Sequence, residues 1–467
     1  MICTDLYYAA PDKAYKDNTV PYDPNKPRMK DIIWRNHDWL EEIDESGRAR
    51  KVILDTLDKT LLCNTCYLGY DFFECPKCDD WLFLYRKCHS RFCSSCGVKL
   101  QKSLALKAEV MCINVKHRHM VFTIPEEYRI IFRKDRSALD LLFVASRNTL
   151  AKMFNTSLFN KLKRKRGIVT NNKDNYYFLR NFKGRNEFGE IATLHTFGRD
   201  LKWNPHIHAL VPELYYDHKK DKIVHLKHFN YESLRHVWMY EVNRLLKERY
   251  PNSKDIKRII DNEYKKRENG FYVYAKADLS DDDKYTEKIK SKNIKGCVNY
   301  MMRYAGRPVM AESRLTSYDK NTDIVEWYYE DHKTEERIEV VETGRSLLEK
   351  LIIHIPDENY RMVRYYGFYN NKCQKLLDKI HELLGKEGKL SLDRTERKNK
   401  LKAKFKLIRF RQLSIDTYNR DPLKCKCGSI MNYIWSYNPL EKRINDREYR
   451  KECIDEMRHL RIPRVYV

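Results

Sequence analysis

The stretch Leu201–Val211, LKWNPHIHALV, sets two histidines, His206 and His208, around one isoleucine inside an apolar run. A β-strand repeats every two residues, so both imidazoles point to one face while Ile207 and Ala209 point to the other. Two neutral imidazoles on one face can hold one metal ion. The bland alternative is a pair of satisfied strand histidines, and the surrounding sequence has to decide between them.

The runs on either side read as an α/β chain built on strands. HRHMVFTIP (117–125), EIATLHTFG (190–198), HIHALVPEL (206–214) and GFYVYAKADL (270–279) alternate or carry β-branched residues. VKLQKSLALKAEVMCINV (98–115), residues 126–166 and YESLRHVWMYEVNRLLKERY (231–250) have helical spacing, and IKGCVNYMMRYAG (294–306) reads as a helix stopping at Gly306 before Pro308. DIVEWYYED and RIEVVET form a candidate hairpin. Residues 1 to about 50 are polar and proline-containing, an extended arm, and the tail beyond Lys375 is charged and helical. These shifts divide the chain into an arm (1–54), a cysteine-rich module (55–110), a central domain (111–372) and a basic helical region (373–467).

The chain has 467 residues, 91 Lys plus Arg against 66 acids, and a net charge of +25. An excess that large points to a polyanion, with nucleic acid as the default partner. Part of it is local, in KLKRKRG (161–167) and in RTERKNKLKAKFKLIRFR (394–411), which interleaves base with leucine and phenylalanine. With 42% hydrophobic residues the chain can bury a real core. The N-terminal sequence has no basic segment followed by an apolar one, and no apolar run reaches membrane-spanning length, so the expected place is the cytoplasm.

Seven of the fourteen cysteines fall between Cys63 and Cys96. In a reducing compartment such clustering indicates metal ligands rather than disulfides. Cys75-x2-Cys78 and Cys93-x2-Cys96 are two knuckles, each able to present two thiolates to one tetrahedral zinc. Cys63, Cys66 and Cys88 are further thiols for a second zinc or a mixed ligand set, and Cys425 and Cys427 form a weaker CKC hint. A zinc-folded module would present Arg86, Lys87 and Arg91 to DNA. Tyr300 and Tyr304, four apart in the helix ending at Gly306, share one face. Among 33 tyrosines such spacing recurs, at Tyr365/Tyr369 and at Tyr433/Tyr437. Only the first pair lies on a good helix downstream of the histidine strand.

The ordered set SRFCSSCG, HMVFTIPEEYR, LHTFGRDLKWNPHIHALV, FYVYAKADL, YMMRYAGRPVMAESRL and HIPDENYRMVRYYGFY resembles the rolling-circle transposases of the insertion-sequence ninety-one family, two-tyrosine members of the HUH endonucleases. The resemblance runs from about Cys63 to Tyr369. It implies a central antiparallel sheet with a tyrosine helix packed against it, a zinc module before it and a basic tail after it. It implies that His206 and His208 bind the catalytic metal, Mg²⁺ or Mn²⁺, and that Tyr300 and Tyr304 are nucleophiles. His195 is a candidate third ligand, by a spacing similar to that of three-histidine relaxases. Lys276, Arg303, Arg307 and Arg314 are candidate DNA contacts within these motifs. Asp71 stands where many members carry a histidine. The implied partners are single-stranded element ends with hairpins and target DNA, in a prokaryotic, nucleoid-associated setting. A plasmid replication initiator or relaxase would share this chemistry, although the helicase P-loop common in larger initiators is absent. A non-enzymatic zinc DNA-binding regulator would account for the charge and cysteines but not for the histidine and tyrosine order.

Overall fold

In a computed structural model the described residues are 26–78, 80–160, 184–226, 229–275, 298, 302, 306, 308–331, 334–388, 394–407, 411, 421, 423–439 and 444–459. Lys276, Tyr300, Arg303, Tyr304, Arg307 and the basic run 161–167 lie outside them.

The chain begins with three helices, α1 (Met29–Arg35), α2 (His37–Glu45) and α3 (Lys51–Leu62). The extended arm expected before residue 50 is therefore helical from Met29 to Glu45. Ile32, Ile33, Leu40 and Ile43 recur at helical spacing and are buried. A hairpin of β1 (Tyr70–Glu74) and β2 (Trp81–Tyr85) leads into α4 (Ser94–Met111) and β3 (His117–Phe122). Helices α5 (Glu126–Lys134) and α6 (Leu139–Phe154) follow. Next come β4 (Asn186–Glu187), β5 (Gly189–Phe197), β6 (Trp203–Pro212), β7 (Leu214–Asp217) and β8 (Lys222–His225). Helices α7 (Tyr231–Arg249) and α8 (Lys254–Lys266) precede β9 (Val273–Ala275). The expected hairpin forms as β11 (Ile324–Glu330) and β12 (Arg337–Thr343), with β10 (Leu315–Asp319) as a third strand. After α9 (Gly344–Ile352) come β13 (Val363–Gly367), α10 (Gln374–Lys386), α11 (Arg394–Leu407), β14 (Asn432–Tyr437) and α12 (Arg447–His459).

The central sheet is antiparallel in the order β13-β5-β6-β3-β9, so β6 sits in its middle. That position explains why the run around His206 is apolar throughout: a middle strand is covered on both faces. One face carries Ile207, Ala209 and Val211 with Ala192, Leu194, Met120 and Phe122, and packs on residues of α5, α6 and α7 such as Phe132, Phe143 and Trp238. The other face carries Ile191 and Leu210 beside Ala105 and Ala108 of α4, Leu377 and Ile380 of α10, and Val298 and Met302. Val298, Met302 and Gly306 are helical, and the first two are fully buried.

The approach of Gly306 to α4 requires glycine. A Cβ there would lie 2.3 Å from the Gln101 nitrogen, and one on Gly97 would lie 2.7 Å from Pro308 Cδ. Neither contact has room for a side chain.

A second core joins Ile32, Leu40 and Leu57 to Trp327, Leu348 and Ile454, so helices from both ends of the chain pack around the β10–β12 sheet. The tail is not helical alone. Strand β14 pairs antiparallel with β1, placing Tyr437 opposite Tyr70 and Ser436 opposite Asp71. Among the described residues no helix is long and apolar enough to cross a membrane.

Candidate active site and metal centres

Strand register builds the histidine cluster. His206 and His208 project from the same face of β6, and the β5–β6 ladder sets His195 directly opposite His206 and Thr193 opposite His208. His195 Nδ1 lies 3.2 Å from His206 Nε2, which lies 3.0 Å from His208 Nε2. Ligand nitrogens about 2.1 Å from one octahedral ion would sit about 3 Å apart, so the donor set fits a divalent cation.

All three rings are buried. Burial lowers the His206 pKa to about 4 and holds His195 and His208 well below the usual imidazole range, with His206 adding charge repulsion. The rings are therefore neutral at pH 7, the form that ligates metal. His206 Nδ1–H donates to the Asn204 carbonyl at 2.6 Å, leaving Nε2 with its lone pair toward the cluster. On the next strand over, His119 Nε2 lies 2.8 Å from His208 Nδ1, with the two rings nearly parallel. Sequence reasoning passed over His119. Its signal was the alternation of HRHMVF, which puts His117 and His119 on one face of a strand.

The other paired tyrosines lie on or beside strands. Tyr369 is fully buried, donates to His117 Nε2 at 2.6 Å and accepts from the Ile113 amide at 3.3 Å. Burial raises Tyr365 to about 12. Tyr433 and Tyr437 lie on strand β14, not on a helix.

Among the described residues the cysteines form two four-thiol clusters, which divide the two knuckles between them. Cys93 and Cys96 join Cys63 and Cys88, whereas Cys75 and Cys78 join Cys425 and Cys427. The expected single site of Cys75, Cys78, Cys93 and Cys96 is thus corrected, because the β1–β2 hairpin carries the first knuckle away from the second. Cys66 belongs to neither cluster. In the first, Sγ···Sγ separations are 3.6 Å for Cys63–Cys96 and Cys88–Cys96, and 3.8 Å for Cys63–Cys93. Four sulfurs about 2.3 Å from a zinc ion would sit about 3.8 Å apart, so the set fits tetrahedral zinc. The Cys63 thiol above all, and more weakly the Lys30 ammonium, hold Cys93 well below the ordinary thiol range.

The candidate DNA contacts of this module have protein partners. Arg86 pairs with Asp71 at 3.2 Å, and Lys87 donates to Asn64 Oδ1 at 2.6 Å. Arg91 is half-buried, and burial lowers its guanidinium to about 10. Arg314 donates to the carbonyls of Tyr328 and Arg199 and stacks on Trp327.

Two family models match the chain. One, described as "Transposase zinc-binding domain", covers residues 35–124, and the other, described as "Putative transposase", covers residues 189–376. The chain belongs to the insertion-sequence ninety-one family of transposases. The "Transposase for insertion sequence element IS801" of Pseudomonas savastanoi pv. phaseolicola is 25% identical over 437 residues, 93% of this chain and 95% of that protein. "Putative transposase y4qJ" of Sinorhizobium fredii is 22% identical over 369 residues, 77% of this chain and 84% of that protein. No solved structure matches. The zinc-binding match encloses Cys63, Cys88, Cys93 and Cys96, so a cluster able to hold a zinc ion lies wholly within that domain. The second match encloses His195, His206 and His208 together with the segment 298–306.

Proposed function

We propose that this transposase cuts and joins single-stranded DNA by tyrosine attack on a phosphate held at the histidine cluster, in a rolling-circle mode. The observation that carries this reading is the cluster itself. Three neutral imidazole nitrogens, His206 Nε2 lying 3.2 Å from His195 and 3.0 Å from His208, converge on the sheet face that Val298 and Met302 cover. Tyr300 and Tyr304 flank Met302 in the sequence.

His206, His208 and His195 would hold Mg²⁺ or Mn²⁺, which when bound polarises a non-bridging phosphate oxygen. The sheet fixes the histidines, and Tyr300 or Tyr304 would supply the hydroxyl that attacks the phosphorus. The tyrosine oxygen forms a P–O bond, the bond to the 3′-oxygen breaks, and the phenolic proton passes to solvent while the leaving oxygen takes one up. The products are a 5′-phosphotyrosine and a free 3′-hydroxyl. Ester energy is kept in the adduct, so rejoining needs no nucleotide triphosphate. A second tyrosine permits a second exchange at the other end or at the target. Single strands suit this chemistry because a stacked duplex resists turning one phosphate onto a buried cluster. The net charge of +25 supplies backbone attraction, which weakens steeply with salt.

The test uses one terminal sequence as single strand, hairpin and duplex, with Mn²⁺ present. The first two forms give a denaturant-stable covalent adduct and the duplex gives little. Tyr300→Phe with Tyr304→Phe removes the adduct and leaves DNA binding intact. An adduct that persists in the double variant, or cuts in both strands of the duplex, overturns the reading.

A further inference from the structure

Cys75, Cys78, Cys425 and Cys427 come from two turns at opposite ends of the chain. The Cys78 and Cys425 sulfurs, 347 positions apart in sequence, lie 3.5 Å apart, as do the Cys75 and Cys427 sulfurs, 352 positions apart. Cys75 and Cys78 are also 3.5 Å apart. All four thiols are free. Only Cys75 and Cys78 fall inside the matched zinc-binding domain.

Each turn is built to present two sulfurs. In the first, the Cys75 amide donates to the Asp80 carbonyl at 2.8 Å and the Lys77 amide points at Cys75 Sγ at 3.5 Å. In the second, the Gly428 amide donates to the Cys425 carbonyl and the Cys425 amide to the Ser429 carbonyl, both at 2.9 Å. Gly428 has φ +90°, a conformation that favours glycine and closes the CKCG turn tightly. Two amide-braced turns facing each other with four sulfurs are the arrangement of a closed tetrahedral thiolate site.

The energetics point the same way. The sheet β14-β1-β2 packs on a satellite core whose buried members are Phe73, Cys75, Leu82, Cys425 and Met431. This buried cluster is small, and the remaining contact of β14 with β1 is a strand ladder lined by partly exposed aromatics such as Trp435 and Tyr433. A metal closing so long a loop would add to what these contacts supply.

We propose that Cys75, Cys78, Cys425 and Cys427 bind a second structural zinc, which staples the C-terminal strand β14 onto the N-terminal zinc module. The module is then assembled from both ends of the chain, and its third strand arrives only after the central domain has been made.

The test counts zinc by mass spectrometry on full-length protein purified under reducing conditions. A His206→Ala/His208→Ala background removes any contribution of the histidine cluster. The expected content is about two zinc ions per chain. Cys425→Ser with Cys427→Ser lowers it to about one and makes the segment after residue 411 sensitive to limited proteolysis. Cys427→His keeps a ligand, so it retains about two ions and changes the Co²⁺-substituted absorption spectrum. About one ion in the parent, or about two in the double serine variant, overturns the proposal. If the double serine variant unfolds and loses all its zinc, Cys427→His decides: two ions uphold the second site and one ion refutes it.

Discussion

The Cys63 cluster and the histidine cluster are both buried, both converge several donors on one point, and differ in what that point can do. Four sulfurs 3.6–3.8 Å apart fill a tetrahedron and leave no position for substrate. Three imidazole nitrogens, with His206 Nε2 3.2 Å from His195 and 3.0 Å from His208, would leave positions open, and their neutral rings would accept a hard cation without cancelling its charge. The thiols sit on turns and a helix start, so a bound metal would hold those pieces in place. The histidines sit on two adjacent interior strands, β5 and β6, of a sheet that is already packed on both faces, so the sheet positions them without help. The lesson is that donor type and number, together with what the donors are mounted on, separate a cluster suited to folding the chain from one suited to the proposed chemistry.

That contrast can be broken most forcefully at the thiolate end. Cys93→Ser leaves the cluster one ligand short, and structural zinc contributes on the order of 10 kcal/mol to a small metal-folded unit. The expected outcome is loss of one zinc per chain and of cooperative melting of the module, with weakened DNA binding. Unchanged zinc content in this variant would remove the contrast.

At the histidine end the expected loss lies in rate and not in fold. His206→Ala should lower single-strand cleavage by about a thousandfold or more, some 4 kcal/mol of barrier. Zinc content in the thiolate clusters and the melting temperature should hold. A variant that cleaves normally, or that melts with the Cys93 variant, contradicts the division of labour.

Acid probes the burial that keeps the rings neutral. His117 and His354 lie outside the triad, and burial lowers them to about 4 and about 3. The unfolded chain takes up those protons near pH 6.5, whereas the folded chain resists until about pH 4. Their contribution is therefore fully present above pH 6.5 and is lost as pH falls through the folded values, on the order of 3 kcal/mol each. Thermal melts between pH 7 and 4 should show a steep decline, and His117→Gln should flatten it. A flat profile in the parent protein would mean that these rings are hydrated.

The smallest effect sharpens the comparison. If His208 uses Nε2 toward the metal, its Nδ1–H donates to His119 Nε2, which fixes the tautomer. His119→Phe keeps the ring and removes the acceptor, so half-saturating Mn²⁺ should rise about 10- to 100-fold while zinc content stays constant. No change in Mn²⁺ dependence would make His119 a packing residue only.

Much of the histidine site was legible in the linear chain. Alternation in LKWNPHIHALV put His206 and His208 on one strand face, and EIATLHTFG put His195 on a neighbouring strand, because side-chain direction in a strand depends only on parity. Helical spacing likewise marked α4, α6 and α7. The direct pairing of His195 with His206, and the arrival of His119 beside His208, depended on sheet order and register, which the packing of both faces selects. The thiols divide in the same way. Their candidacy as metal ligands followed from clustering and the CxxC spacing, a local property. Their partition did not, since Cys75 and Cys78 turn away from Cys93 and Cys96 to meet Cys425 and Cys427. A knuckle fixes only its own two sulfurs, and which second knuckle it meets is a matter of loop closure across the whole fold. Residue type and parity therefore determined which side chains could act, and tertiary structure alone decided which of them stand together.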